Sequence, residues 1–204
     1  MMTSGIILGT GPSLNDSADM VRELGTQGTL LFGCNKCYAD FDLNVWLACD
    51  PAWHQYHGKT DLPHTDQWHW DKDICSDYGY RYIEGVWVDG LWLEDKTKIS
   101  LNHCSGAQLL NLACHYDCDP ILLVGHDFSY EPGKPRHYFS DLSDVNGEYP
   151  AQLRKWSQFQ KPGGDDLMTV YQRISETPGL PRVVNCTPGS ALTWFEMGEL
   201  KDYL

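Results

Sequence analysis

The sequence predicts an α/β fold with a mainly parallel sheet and helices on both faces. Three observations predict it. Short runs that are apolar throughout, such as Ile6-Ile7-Leu8 and Ile121-Leu122-Leu123-Val124, alternate with stretches of helical periodicity. A strand that is apolar at every position is buried on both sides, as in a parallel sheet covered by helices. Several of these runs also end in glycine or a polar turn, which is where ligands of such sheets bind. The 204 residues suffice for one domain spanning 1–204, and no Pro/Gly/Ser linker or internal repeat divides them.

Residues 5–9 read as the first strand. Residues 12–24 follow as a helix, with Ser13 or Asn15 as cap and Val21 and Leu24 on one face. Residues 29–33 (TLLFG) form a second strand. Residues 44–49 (NVWLAC) form a third, which ends in Asp50-Pro51, and residues 81–87 (RYIEGVW) a fourth. Residues 105–116 are the clearest helix, because Ala107, Leu110, Ala113 and Cys114 fall at i, i+3, i+6 and i+7. Residues 120–124 (PILLV) are a strand ending at Gly125-His126-Asp127, and residues 182–185 a late one. Residues 191–204 read as helical, with a break at Gly198. Residues 129–164 are polar and rich in Pro, Gly and Asp, the composition of a lid over a site.

The net charge of −13 leaves only 15 Lys and Arg against 28 Asp and Glu. That argues against a basic face for duplex nucleic acid. No run of 18 apolar residues spans a membrane, and the N-terminus lacks the basic start of a signal peptide. The expectation is a cytoplasmic enzyme, compact enough for a bacterial or viral origin. In that compartment the eight cysteines are mostly buried thiols. Cys34 with Cys37, Cys114 with Cys118, and His54, His57, His64 and His69 have metal-like spacing, but no clean four-ligand set emerges. Eight Trp and eleven Tyr suit sugar stacking, a core or an oligomer interface equally.

The stretch GIILGTGPSLND (5–16) is a glycine turn between strand and helix. The dinucleotide fingerprint wants a third glycine where Leu14 stands, and an acid at the end of the second strand. The triphosphatase loop wants a Lys followed by Ser or Thr, which is absent. What survives is a backbone open to close approach beside a helix start that favours an anion, or a turn with no ligand.

Five blocks in order carry a resemblance. They are GTGPSL (9–14), FGCNKCY (32–38), WLACDPAW (46–53), HCSGAQLLNLACHYDCDPILLVGHDFSY (103–130) and NCTPGSALTWF (185–195). Together they resemble the Rossmann-like bacterial-type sialyltransferases and the related archaeal hydroxymethylpterin pyrophosphokinases. The resemblance implies that a CMP-sugar-like donor lies against Gly9, Thr10, Gly11, Ser13, Asn35, Ser105 and Gly106. It implies that Asp127 orients base or ribose, that Tyr130 and Tyr138 bond the leaving phosphate, and that a lid His acts as general base. PRHYFSD gives His137 for that base, whereas spacing favours Asp141.

The chain departs from the sialyltransferase pattern at Thr10 and Asp50, where that family has Asn. A carboxylate at Asp50 beside an acidic donor sugar is unfavourable without a cation. Either the donor sugar is neutral, or Asp50 holds Mg²⁺ or Mn²⁺, or Asp50 only initiates a turn before Pro51. The leading reading is a glycosyltransferase acting on an acceptor hydroxyl, with no cofactor required or with such a cation. The acceptor is a glycan, a lipid-linked sugar or a modified nucleobase. A pyrophosphokinase or nucleotidyltransferase with Asp50 and Asp127 on magnesium stands beside it. So does a nucleotide-binding protein without catalysis.

Overall fold

A computed structural model describes residues 3–102, 104–129 and 167–204. The candidate residues Tyr130, His137, Tyr138 and Asp141, and nearly all of the expected lid, lie outside the described residues.

The first strand, β1 (Thr3–Leu8), is followed by α1 (Leu14–Thr26), β2 (Leu30–Cys34), a 3₁₀ turn (Asn35–Ala39) and β3 (Val45–Leu47). Then come α2 (Pro51–His57), β4 (Asp66–His69), α3 (Lys72–Tyr78), β5 (Arg81–Tyr82), β6 (Glu84–Val86) and β7 (Lys98–Ser100). The described chain closes with α4 (Ser105–His115), β8 (Cys118–Val124), α5 (Leu167–Ser175), β9 (Val183–Asn185), β10 (Glu196–Met197) and a 3₁₀ turn (Leu200–Tyr203).

Eight strands form one sheet in the order β10-β9-β8-β1-β2-β3-β4-β5, with every neighbouring pair parallel. From β1 the chain adds β2 to β5 on one side. It then returns to lay β8, β9 and β10 on the other. The order therefore reverses between β1 and β8, where ligand crevices of open α/β sheets form.

The all-apolar runs are explained by the two faces. Ile7, Ile121 and Leu123 meet α4 and α5 through Leu110, Ala113, Tyr171 and Ile174. Ile6, Leu8, Leu122 and Val124 meet α1 through Leu14, Val21 and Leu24. Alternate residues feed opposite layers, so every position is apolar.

Two expectations are corrected. Residues 81–87 do not make one strand: the chain breaks at Ile83, so that β5 joins the large sheet while β6 pairs with β7 in a separate ribbon. Residues 191–204 are not a helix. Their apolar residues do not share one helical face: Leu192 and Phe195 enter the α4 side of the core and Leu200 the α1 side. The segment wraps the sheet edge instead, through β10. β4 and α3 were not anticipated. Asp71 caps α3 by accepting hydrogen bonds from the Asp73 and Ile74 N–H groups, and Gly79 ends it in the left-handed region at φ 78°. No described helix is long and apolar enough to cross a membrane.

Candidate functional site

The five sequence blocks meet at the carboxyl edge of the sheet. The β1–α1 loop is zipped to the turn after β8. The Gly9 N–H donates to Val124 O at 2.7 Å and the Gly11 N–H to Gly125 O at 2.8 Å. A Cβ on Gly9 would overlap the Gly125 carbonyl, and one on Gly11 would overlap the Asp127 carboxylate. These two glycines are required by close approach of chain to chain.

Asp127 lies against the start of α1. Its carboxylate accepts from the Ser13 N–H at 3.2 Å and from Ser13 Oγ at 2.8 Å. The last block locks this turn from behind. The His126 N–H donates to Thr187 Oγ1 at 3.0 Å, Ser190 Oγ donates to His126 O at 2.5 Å, and the Ala191 N–H donates to Asp127 O at 3.0 Å. Thr187 and Ser190 lie within the last sequence block, and only the fold shows what they hold.

Next along the edge, Asn35 opens the 3₁₀ turn after β2 with φ 48°, a left-handed conformation that Asn tolerates. Its backbone carbonyl accepts from Trp46 Nε1 at 2.9 Å, and the residue is half-buried. Thr10 and Asp50 are half-buried as well. Asp50 precedes Pro51, the first residue of α2, where a missing N–H costs nothing. The approach to Asp50 is held by three side chains. His54 Nε2 donates to Ala48 O at 3.0 Å, Trp70 Nε1 to Cys49 O at 3.1 Å, and the Cys49 N–H donates to Ser105 Oγ at 3.2 Å.

Ser105 and Gly106 begin α4, whose first turn spans the crevice. Ser105 reaches the end of β3, and Gly106 comes up to Tyr171 and His126 after β8. A Cβ on Gly106 would stand 2.6 Å from the Tyr171 hydroxyl. His126 is buried, and burial pulls its imidazole down to about 4. Its Nδ1 donates to Val124 O at 3.3 Å, so its proton sits on that nitrogen. Burial raises the Cys104 thiol and pushes the Cys49 thiol up to about 12, so both are neutral.

Asp50 follows β3 and Asp127 follows β8, with β1 and β2 between those strands in the sheet. No three His, Cys, Asp or Glu side chains among the described residues converge as a metal-holding group. The spaced cysteines are free thiols, buried or half-buried. His54 and His69 are brought together, with ring centroids 4.9 Å apart and both fully buried, while His64 is exposed.

No family model and no curated protein matches the sequence. Over 98% of its length the chain is similar in structure to the MAf glycosyltransferase from Magnetospirillum magneticum AMB-1, with a TM-score of 0.58 at 13% identity. It spans 34% of that chain, and at this identity the likeness is one of fold. The chain thus shares its α/β architecture with about a third of a glycosyltransferase of known structure.

Proposed function

We propose that this chain transfers a sugar from a nucleotide-activated, CMP-sugar-like donor to an acceptor hydroxyl. The observation that supports this most is the convergence of five sequence-distant blocks on one crevice at the β1/β8 reversal. The structural likeness to a glycosyltransferase adds to it. In this reading the donor lies along the carboxyl edge, with Asn35, Thr10, Ser105 and Gly106 lining it. The acceptor oxygen bonds to the anomeric carbon while the nucleotide phosphate departs with the electron pair of the broken bond. A base takes the hydroxyl proton, and His137 or Asp141 is the candidate. Asp50, after β3, is the candidate for any cation at that end of the crevice.

A thermal-shift panel of nucleotides and nucleotide sugars, with and without Mg²⁺ or Mn²⁺, tests the donor. Stabilisation by one class at a hundredfold excess over its Kd amounts to about 2.7 kcal/mol. Release of free nucleotide in the presence of acceptor supports sugar transfer, whereas a pyrophosphorylated acceptor would replace it with the kinase reading. For the base, His137→Ala should lower turnover by roughly 10²–10⁴ with nucleotide binding retained. Asp141→Asn should do less, and the reverse order would move the role to Asp141.

A further inference from the structure

The β1–α1 glycine loop has the outward form of an anion seat, yet its donors at Gly9, Gly11 and residues 13–16 are spent inside the chain. The Gly9 and Gly11 N–H groups donate to Val124 and Gly125 carbonyls. Those of Leu14, Asn15 and Asp16 close short turns onto Gly11, Pro12 and Ser13 carbonyls. Pro12 has no N–H. The Ser13 N–H and hydroxyl, at the positive end of α1, both point at the Asp127 carboxylate. The room that Gly11 leaves by lacking a side chain is filled by that same carboxylate.

We propose that Asp127 is the resident anion of this seat, a positioning residue that bars external phosphate or carboxylate from the start of α1. A helix N-terminus stabilises one anion within its first turn, and here that anion is covalently part of the protein. A ligand phosphate brought to the same place would meet a like charge, with the Ser13 N–H and hydroxyl already engaged. For the nucleotide reading above, on which this consequence rests, the phosphate belongs on the α4 side of the crevice. The glycine loop then sets the shape of the crevice without touching phosphate.

The test is anion rescue in the whole chain. Asp127→Ala removes the carboxylate and leaves a space the size of formate beside the Ser13 donors. Melting midpoints are measured in sodium formate, sodium phosphate and sodium chloride at equal ionic strength. Formate should raise the midpoint of Asp127→Ala by several degrees over chloride and leave the wild type unmoved. Equal responses of the two proteins, or no response of the variant, would overturn the proposal. Should Asp127→Ala not fold in chloride, Asp127→Ser takes its place. Recovery of either variant only by refolding in formate supports the seat, and failure of both in formate as well overturns it. Cytidine monophosphate titrated onto the wild type is the separate control. Its failure to bind would remove the nucleotide reading, while the formate result still decides whether Asp127 fills the seat.

Discussion

At the β1/β8 junction the carboxyl edge is held by directed hydrogen bonds between short groups; at the β3/β4 end of the same edge it is held by packed rings. Gly9, Gly11, Ser13, Asp127, Thr187 and Ser190 build the first, each donor meeting an acceptor at 2.5–3.2 Å. Trp46, Trp53, His54 and His69 build the second, with successive ring centroids 5.3, 5.2 and 4.9 Å apart. Among the described residues, Trp53 Nε1, His54 Nδ1 and His69 Nε2 of the ring cluster are buried with no hydrogen-bond partner. A buried polar atom of that kind costs about 1–3 kcal/mol, so apolar contact carries this region in spite of its nitrogens. The difference teaches where the edge tolerates change. The junction has no slack for one added carbon, whereas the ring cluster has polar atoms it would do better without.

The strongest attempt to break that contrast is Gly11→Val. A side chain there displaces the Asp127 carboxylate and lies 2.7 Å from the Gly125 carbonyl oxygen. The expected loss is about 3–5 kcal/mol, from overpacking and the broken charged hydrogen bonds together. A glycine loop that served only as a phosphate cradle predicts the opposite, an intact fold with lost nucleotide binding. Urea unfolding distinguishes them, and a wild-type midpoint for Gly11→Val would end the distinction drawn between the two regions.

The next effect is common to both regions and appears in acid. Burial holds His126 at the junction and His69 in the ring cluster at about 4, below their ordinary 6.5. His54 is lowered as well, again by burial. Between these values the unfolded chain binds protons that the folded chain refuses, so stability is complete above pH ~6.5 and falls as pH drops towards 4. At 1.36 kcal/mol per unit, each of the two strongly lowered groups accounts for about 3 kcal/mol. Substituting His69→Phe should flatten this acid limb without touching the junction. An unchanged pH profile of unfolding in that variant would show that His69 titrates in the folded state much as it does in the unfolded chain.

The smallest effect sharpens the comparison. Trp53→Phe gives up ring area but removes an unpaired indole N–H, and the two changes offset to within about 1 kcal/mol. A loss above about 3 kcal/mol by the same urea measurement would mean that the indole N–H has a partner, and that the ring cluster is as tightly specified as the junction.

Much of the fold was legible because burial on two faces writes itself into composition. β1, β2 and β8 are apolar at successive positions for that reason, and α4 shows its period over three turns. β4 was missed because Asp66, Gln67 and Trp68 are only half-buried, and α3 because seven residues are too few to show a period. The C-terminal segment misled because its apolar residues serve two layers and not one. Of the site, the loops were legible from their place after strands. The bond between Ser13 and Asp127 was not, since no spacing rule links residues 114 positions apart.

The strap formed by residues 183–200 has a consequence in time. Asp127 is held by Ser13 on one side and its turn by Thr187, Ser190 and Ala191 on the other, residues far from it in sequence in both directions. During folding β1, β2 and β3 can pair through contacts close in sequence, whereas the turn after β8 takes its shape from residues more than sixty positions away on either side. The crevice is therefore completed after most of the sheet, through the contacts of longest sequence separation, which are the slowest to form. A pulse of hydrogen exchange during refolding should find the Ser13 amide protected later than those of Ile6 and Leu31; protection at the same moment would show that the strap docks with the sheet. The turn that carries Asp127 is thus the part of the sheet edge whose shape waits on the partners most distant in sequence.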